Sequence, residues 1–145
     1  MAIEVRTAGT EDRPLLVTMS SQLWEDEGGE RMPRTFFERR MQTLLSDGYA
    51  AEIFTEAGQP VGYVLWRDDG DRLYLRQVFV SRDHRRQGIG RAMLNTLLGG
   101  RLPQRDMIKI DVIDGNETAL AFWEELGFMR MGAAMALPLR SLGET

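Results

Sequence analysis

Apolar residues recur along this chain at two different spacings. Alternation of apolar and polar side chains is typical of a half-buried strand, whereas a repeat every three to four residues is typical of an amphipathic helix. Alternating segments predict strands at residues 3–8, 49–55, 61–67, 72–80, 107–113, 128–130 and 133–139. Helical spacing begins near residues 10, 33, 88 and 116. The predicted order of elements is therefore β-α-α-β-β-β-α-β-α-β-β.

The connections between these segments indicate how the strands pair. Short turns at residues 56–60 and 68–71 contain glycine and join three successive strands, which is typical of an antiparallel meander. A helix separates the strand at 72–80 from the strand at 107–113, and a crossover of this kind joins parallel strands. We therefore predict one α/β (α+β) domain over residues 1–145, with a mixed, mostly antiparallel sheet and one parallel β-α-β crossover.

Composition narrows the classes of function. The formal net charge of -4 argues against a nucleic-acid partner. The absence of cysteine excludes disulfides and thiolate chemistry, and His84, the single histidine, forms no histidine cluster, so no metal cofactor is expected. The first residues lack a basic-then-apolar leader, and no apolar run reaches the roughly 20 residues of a membrane span. The expectation is a cytoplasmic protein without a membrane partner.

A basic segment that contains two glycines lies between a strand and a helix. It spans residues 85–91 (RRQGIGR) and follows the strand that ends at Val80. The first amides of a helix lack internal partners, and glycine lets an anion approach them closely. Arginines add charge-assisted hydrogen bonds to phosphate, so the segment suits a diphosphate. The spacing fits neither the Walker motif nor the dinucleotide fingerprint. A tight loop with solvated arginines is the alternative.

Two segments resemble motifs of the GNAT family of N-acetyltransferases, in the right order and at the right spacing. Residues 80–90 (VSRDHRRQGIG) are similar to the acetyl-CoA motif, in which an apolar strand and a polar loop precede Arg/Gln-x-x-Gly-x-Gly/Ala. Residues 116–128 (NETALAFWEELGF) are similar to the Asn-x-x-Ala-x-x-x-Tyr-Glu-x-Leu-Gly-Phe segment, with Trp123 in place of the tyrosine. The predicted order of elements matches the family fold over essentially the whole chain.

The resemblance implies acetyl-CoA as co-substrate and direct transfer of its acetyl group to an amine of a small molecule or peptide. A strand end would pair with the pantetheine arm through backbone groups, and the amides of the glycine loop would bind the diphosphate. The implied cofactor-binding residues are Val78, Phe79, Val80, Arg85, Arg86, Gln87, Gly88, Ile89, Gly90, Arg91, Asn116 and Trp123. Solvated arginines and a simple helix N-cap at Asn116 are the alternatives.

The implied catalytic groups depart from the common pattern of the family. Transfer needs a base for the protonated amine and a donor for the developing oxyanion, which by resemblance is the backbone amide of Val80. Asp111 is the candidate base, because some members carry a glutamate at a similar position on this strand. By alternation Asp111 shares a face with Lys109, and a solvated or salt-bridged aspartate is the alternative. The glutamate that many members carry before the glycine loop is absent, since the chain has Arg76 and Gln77 there.

Trp123 stands where the family often has a tyrosine that protonates the departing thiolate. An indole N–H donates a hydrogen bond but is not a practical proton source. Either the thiolate leaves without that acid or another group supplies the proton. Trp123 also lies on an apolar helix face, so packing is its alternative role. The missing tyrosine and glutamate leave open a second function, a CoA-binding sensor or regulatory module with weak or no catalysis.

An acidic segment bears on the acceptor. Glu25, Asp26, Glu27 and Glu30 fall in a region that commonly borders the acceptor pocket in this family, and they would suit a cationic acceptor. A solvated acidic loop is the alternative. His84 matches a position where the family often has an aromatic residue that packs, so a catalytic role is not expected for it. The resemblance also allows a homodimer.

Overall fold

The computed structural model describes residues 2–85, 87–112, 116–132, 135 and 137. The chain divides into two compact units, residues 1–111 and residues 112–145, which we call the first and the second unit. Among the described residues, no helix is long and apolar enough to cross a membrane.

The first unit contains a five-stranded sheet and three helices. Its strands are β1 (Ile3–Thr7), β2 (Ala50–Glu56), β3 (Gln59–Asp68), β4 (Arg72–Val80) and β5 (Met107–Ile110). Its helices are α1 (Arg13–Asp26), α2 (Arg34–Ser46) and α3 (Ile89–Leu98), with short 3₁₀ turns at Thr10–Asp12 and Arg82–His84. The second unit contains α4 (Glu117–Glu125). These bounds confirm the predicted helices and the first four predicted strands to within a few residues.

The sheet is mixed, with the spatial order β1-β2-β3-β4-β5. The first four strands pair antiparallel with their neighbours, and β5 pairs parallel with β4. Because α3 lies between β4 and β5 along the chain, this parallel pair is the predicted β-α-β crossover. The predicted fold class is confirmed.

The strand alternation sends side chains to two covered faces. Ile53, Tyr63 and Leu65 share one buried cluster with residues of α1 and α2. Gly62 precedes Tyr63 and so faces the other side of β3. A Cβ at Gly62 would lie 2.1 Å from the Phe79 carbonyl oxygen and 2.9 Å from Sδ of Met93 on α3. Glycine here therefore lets α3 pack closely against the second face of the sheet.

A β-bulge interrupts the alternation of β4. Leu65 of β3 pairs with Gln77, but the next residue, Trp66, pairs with Leu75, so Arg76 is an extra residue on β4. An extra residue inverts the order of faces beyond it. Tyr74 before the bulge packs against the α1/α2 cluster, and Gln77 after it accepts a hydrogen bond of 2.7 Å from the buried hydroxyl of Tyr63 in that cluster. The bulge thus allows Tyr74, before it, and Gln77, after it, to face the same helices, α1 and α2.

The end of α4 explains why the strand predicted at residues 128–130 is wrong. Gly127 has a φ of 102°, its amide donates to Glu124 O at 3.0 Å, and the Phe128 amide donates to Trp123 O at 3.1 Å. This pattern is a Schellman motif, which commits the Phe128 amide to the helix end. Residues 128–130 form no strand. Most of the last predicted strand, 133–139, lies outside the described residues, as does residue 113 of the predicted β5.

The β2–β3 hairpin offers a test of the register. Its turn residues Ala57 and Gly58 have φ values of 50° and 79°, and Glu56 pairs with Gln59. A two-residue turn with both φ values positive favours Asn-Gly, and alanine is strained there. We expect Ala57→Asn to raise the free energy of unfolding by about 0.5–1 kcal/mol, and Ala57→Val to lower it, in chemical denaturation. Equal or lower stability of the asparagine variant would contradict the turn.

Candidate functional site

The pairing of β4 with β5 stops before β4 ends. The parallel register runs from Arg72 opposite Met107 to Leu75 opposite Ile110. β4 continues to Val80, and in the first unit as the structure describes it, residues 76–80 pair only with β3. The other edge of this segment is open to an extended ligand, which can pair with it as an added strand does. Val78, Phe79 and Val80, the residues predicted to pair with the pantetheine arm, lie in this segment. Because Ser81 N donates to Val61 O, alternation directs the backbone groups of Phe79 toward β3 and those of Val78 and Val80 toward the open edge.

The glycine segment begins α3 directly beyond the open edge. Gly88 is the N-cap residue with a φ of 75°, a left-handed conformation that favours glycine. Ile89 is buried in the core and fixes the start of the helix, while Gly90 and Arg91 belong to its first turn. The first amides of this ten-residue helix have no intrahelical acceptors, and the helix dipole adds positive potential there. The backbone of the predicted diphosphate loop is therefore suited to bind an anion. Arg86, which was also predicted to contact the cofactor, lies outside the described residues.

The arginine side chains that precede the glycines contact protein groups. Nε of Arg85 donates to Val80 O at 2.9 Å, and its guanidinium contacts the carboxylate of Asp26. Arg82 donates to Asp26 at 2.9 Å and to Glu25 at 3.2 Å. Burial raises the pKa of Asp26, but hydrogen bonds from Arg85 and Arg82 outweigh it and hold the pKa below its usual value. These contacts tie the end of α1 to the loop after β4.

Asp111 lies where β4 and β5 separate. It directly follows β5, and its Oδ2 accepts a hydrogen bond of 2.7 Å from the Tyr74 hydroxyl. Nζ of Lys109 lies 3.8 Å from Oδ1 of Asp111, which confirms that the two side chains share a face. The Asp111 side chain is 63% exposed, so solvent and ligands can reach the carboxylate. Burial, together with the hydrogen bond to Asp111, raises the pKa of Tyr74 to about 12.

Two cavities lie between the helices and the bulged strand. The smaller, of ≈ 180 Å³, is lined by Leu23, Trp24, Glu27, Arg40, Tyr74, Arg76 and Gln77. The larger, of ≈ 510 Å³, is lined by Pro33, Thr35, Phe36, Arg39, Arg40, Thr43, Leu44 and Arg76. Arg40 and Arg76 line both, so the cavities adjoin at these side chains. We call them the small cavity and the large cleft.

Of the four acidic residues predicted near the acceptor, only Glu27 lines a cavity. Burial raises the pKa of Glu27; the positive charge of Arg40 opposes this shift, and the negative charge of Asp26 adds to it. Glu25 and Asp26 instead pair with arginines of the loop after β4. The acidic segment therefore contributes one carboxylate to the small cavity.

Trp24 shapes the wall of the small cavity. Its indole Nε1 donates to Glu30 O at 2.6 Å, which holds the connection between α1 and α2 against the helix end. The ring packs edge-on against Phe36 at 5.2 Å between centroids, and the Arg40 guanidinium lies 5.0 Å from the ring centroid. Sequence reasoning missed Trp24, Tyr74 and Arg40 as site residues, because the helical spacing of Trp24 and Arg40 and the alternation at Tyr74 indicate only packing or exposure.

The second unit holds the two remaining predicted cofactor residues. Oδ1 of Asn116 accepts a hydrogen bond of 3.1 Å from the Ala119 amide, so Asn116 caps α4. Trp123 packs against Phe122 and Phe128, with ring centroids 5.2 Å and 5.1 Å apart. The contact with Phe128 is the apolar contact that accompanies a Schellman motif. Capping and packing are therefore observed, and the ligand roles of both residues remain predictions.

Neither a metal-binding cluster nor His84 contributes to the described part of the candidate site. Residues 2–85, 87–112, 116–132, 135 and 137 contain no group of three or more histidine, aspartate or glutamate side chains that could hold a metal ion. Nδ1 of His84 is buried and has no hydrogen-bond partner among these residues. His84 lies in the 3₁₀ turn after β4, away from the two cavity linings.

Comparison with known proteins identifies the family of the chain. The sequence model of the acetyltransferase (GNAT) family matches residues 16–128. The probable N-acetyltransferase Rv2775 of Mycobacterium tuberculosis is 26% identical over 140 residues, which span 87% of this chain and 79% of that protein. The chain therefore belongs to the acetyltransferase (GNAT) family, and it is an N-acetyltransferase by class.

Solved structures share the fold at low sequence identity. A possible acetyltransferase from Clostridium difficile 630 superposes with a TM-score of 0.79 at 19% identity, over 95% of this chain and 97% of that chain. AAC(6')-Iy, solved in complex with the bisubstrate analogue CoA-S-monomethyl-acetylneamine, superposes with a TM-score of 0.75 at 15% identity, over 95% of this chain and 98% of that chain. At these identities the likeness establishes the fold.

The pair of Tyr74 and Asp111 can be tested by alkaline titration. The folded protein favours the neutral phenol of Tyr74, and this preference adds to the free energy of unfolding. The contribution is complete below the ordinary tyrosine pKa of about 10 and is lost as the pH rises through about 12. We expect Asp111→Asn to lower the pKa of Tyr74 while leaving the contribution of burial, which is the largest single cause of the shift. Tyrosinate absorbance measures this, with Tyr74→Phe identifying the step. An unchanged step in Asp111→Asn would disprove the pairing.

Proposed function

We propose that this chain transfers an acetyl group from acetyl-CoA directly to an amine of a small molecule or peptide. The observation that carries the proposal is the open edge of β4, which leads into the N-terminus of α3. An extended thioester arm needs backbone partners, and a diphosphate needs unpaired amides beyond them. The chain offers both in the order in which they occur in CoA. Membership of the acetyltransferase family supports the same ligand.

The proposed cofactor contacts divide by unit. In the first unit, backbone groups of residues 78–80 hold the pantetheine arm, and the loop at residues 85–91 holds the diphosphate. Arg85 supports the loop through Val80 O and Asp26, and it can add a phosphate contact only with its remaining donors. In the second unit, Asn116 and Trp123 are proposed to contact the cofactor on the resemblance alone. The complex of AAC(6')-Iy with a CoA-containing analogue is consistent with this ligand.

The proposed reaction is a single acyl transfer. Asp111 accepts a proton from the ammonium group of the acceptor, directly or through a water. The amine nitrogen then attacks the thioester carbonyl carbon, and the Val80 amide stabilises the negative oxygen that develops. The C–S bond breaks as the amide forms, and the nitrogen releases its second proton to solvent. The departing thiolate takes up a proton from solvent, because Trp123 cannot supply one. Tyr74 holds the Asp111 carboxylate in place at 2.7 Å.

The extent of the family match bears on the domain. The match at residues 16–128 begins in the first unit and ends in the second. This supports our proposal that residues 1–145 form one N-acetyltransferase domain. A cytoplasmic location and a homodimer remain predictions from the sequence.

Cofactor binding can be tested at the start of α3. We expect Gly90→Val to weaken CoA binding at least about tenfold, because a side chain in the first turn obstructs the approach of diphosphate to the amides. Isothermal titration with CoA measures the affinity. Gly99→Val at the other end of the same helix is the matched control and should bind CoA normally. A folded Gly90→Val protein with wild-type affinity would remove the glycine loop from the site.

The proposed base can be tested by the rate of thiol release from acetyl-CoA across a panel of amino acids, peptides, polyamines and aminoglycosides. We expect Asp111→Asn to slow transfer by about a hundredfold with CoA affinity unchanged, since a neutral amide cannot accept the proton. Asp106→Asn, an exposed aspartate before β5, controls for charge. Wild-type turnover in Asp111→Asn would exclude Asp111. Saturable CoA binding without turnover of any amine by the wild-type protein would favour the sensor function.

A further inference from the structure

We propose that the large cleft binds a carboxylate of the acceptor, so that the acceptor is an amine that also carries a carboxylate, such as an amino acid or a short peptide. This inference rests on the proposed function and names the substrate class of the same site. It departs from the cationic acceptor that the acidic segment predicted.

The lining of the large cleft is positively charged and contains no acidic side chain. Arg39 and Arg40 of α2 and Arg76 of the β4 bulge face it, Thr35 and Thr43 add hydroxyl groups, and the lining contains no aspartate or glutamate. The chain as a whole is acidic, with a formal net charge of -4. A cleft with several arginines and no acid therefore favours an anionic ligand group, because the ligand supplies the missing counter-charge.

These arginines differ from the others near the site in their partners. Arg82 and Arg85 form ion pairs with Asp26, whereas Arg39, Arg40 and Arg76 form none within the described part of the chain. Ring faces position two of them: the Arg40 guanidinium lies 5.0 Å from the centroid of Trp24, and that of Arg76 lies 5.6 Å from the centroid of Tyr49. Nη1 of Arg76 also donates to the Tyr49 hydroxyl at 3.5 Å. The remaining in-plane N–H donors of these guanidinium groups can bind a carboxylate.

The position of the cleft relates a bound carboxylate to the amine. Arg40 and Arg76 separate the large cleft from the small cavity that contains Glu27. Arg76 is also the residue at which β4 loses its partner β5, and the open edge begins there. An acceptor with its carboxylate on the arginines can direct its ammonium group toward Glu27 and the open edge. The small cavity thus offers the acceptor a carboxylate, Glu27, beside the two shared arginines, whereas the large cleft offers arginines alone.

The size and remaining lining of the cleft admit an apolar side chain. Its volume of ≈ 510 Å³ lies within the range of small-molecule sites, about 300–1,000 Å³. Phe36 and Leu44 provide apolar surface beside the arginines. A polyamine or another polycation would instead bring positive charge against three guanidinium groups, which disfavours it.

The test separates binding from catalysis by using a product-like probe. N-acetylphenylalanine has a carboxylate where N-acetylphenylalaninamide has a neutral carboxamide of similar size. Calorimetry with the CoA-saturated full chain measures the affinity for each. Arg39→Gln removes a guanidinium that lines only the large cleft. Arg31→Gln, an exposed arginine that lines neither cavity, makes the same change in net charge and is the matched control.

We expect the free acid to bind at least about tenfold more tightly than the amide. Arg39→Gln should remove most of this difference, while Arg31→Gln keeps it and CoA affinity stays unchanged in both variants. Equal affinity for acid and amide, no detectable binding of the acid, or equal losses in the two variants would overturn the inference. Weaker CoA binding in Arg39→Gln would also overturn it, because the cleft would then serve a phosphate of the cofactor.

A parallel assay of thiol release distinguishes this inference from the proposed function. Free amino acids and peptides should be acetylated more efficiently than their carboxamides, and Arg39→Gln should raise KM for the acids with little change in kcat. Selective binding of the acid without turnover of any amine would leave the inference standing and contradict the proposed function. Faster acetylation of carboxamides or polyamines than of acids would leave the proposed function standing and overturn the inference.

Discussion

The separation of β5 from β4 after Leu75 is the constraint on which the proposed site depends. Had the parallel pairing continued to Val80, the backbone groups of β4 would be satisfied inside the sheet and could not bind a ligand. The packing of α3 against the sheet at Gly62 then fixes where the helix begins relative to the open edge. The proposed site therefore consists mainly of backbone groups, from the strand edge and the helix amides, and side chains such as Arg85 and Ile89 support it.

The bulge at Arg76 has a separate consequence for the acceptor side. In a regular strand, Gln77 lies on the opposite face from Tyr74 and Arg76. Without the bulge, Gln77 would therefore face α3 while Tyr74 and Arg76 face α1 and α2. With it, all three line the small cavity together, and Gln77 also bonds to the buried Tyr63. The bulge therefore brings three polar residues of β4 to one wall of the small cavity. A regular strand would place Gln77 on the opposite face of the sheet.

Sequence patterns predicted the elements of the first unit well, because alternation, helical spacing and glycine turns are local properties. The mixed sheet and the β-α-β crossover followed from connection lengths. The bulge could not be predicted, since 72–80 alternates regularly in the sequence and the extra residue exists only relative to β3. The roles of Tyr74, Trp24 and Arg40 depend on that bulge and on contacts between distant segments. The strand predicted at 128–130 is wrong, because the Phe128 amide is already hydrogen-bonded to the end of α4 at Gly127.

The distribution of charge around the site follows from the same contacts. Two acids at the end of α1, Glu25 and Asp26, neutralise Arg82 and Arg85, so the positive potential of the glycine loop arises from the amides and dipole of α3 as much as from side chains. Glu25 and Asp26 pair with arginines of the loop after β4 and do not line the small cavity. Glu27 is the acidic residue of this segment that lines it. The arginines of α2 and the bulge are then left without acidic partners in the described structure. A chain that is acidic overall thereby contains a cleft lined by three arginines and no acidic residue, to which we assign the carboxylate of the acceptor.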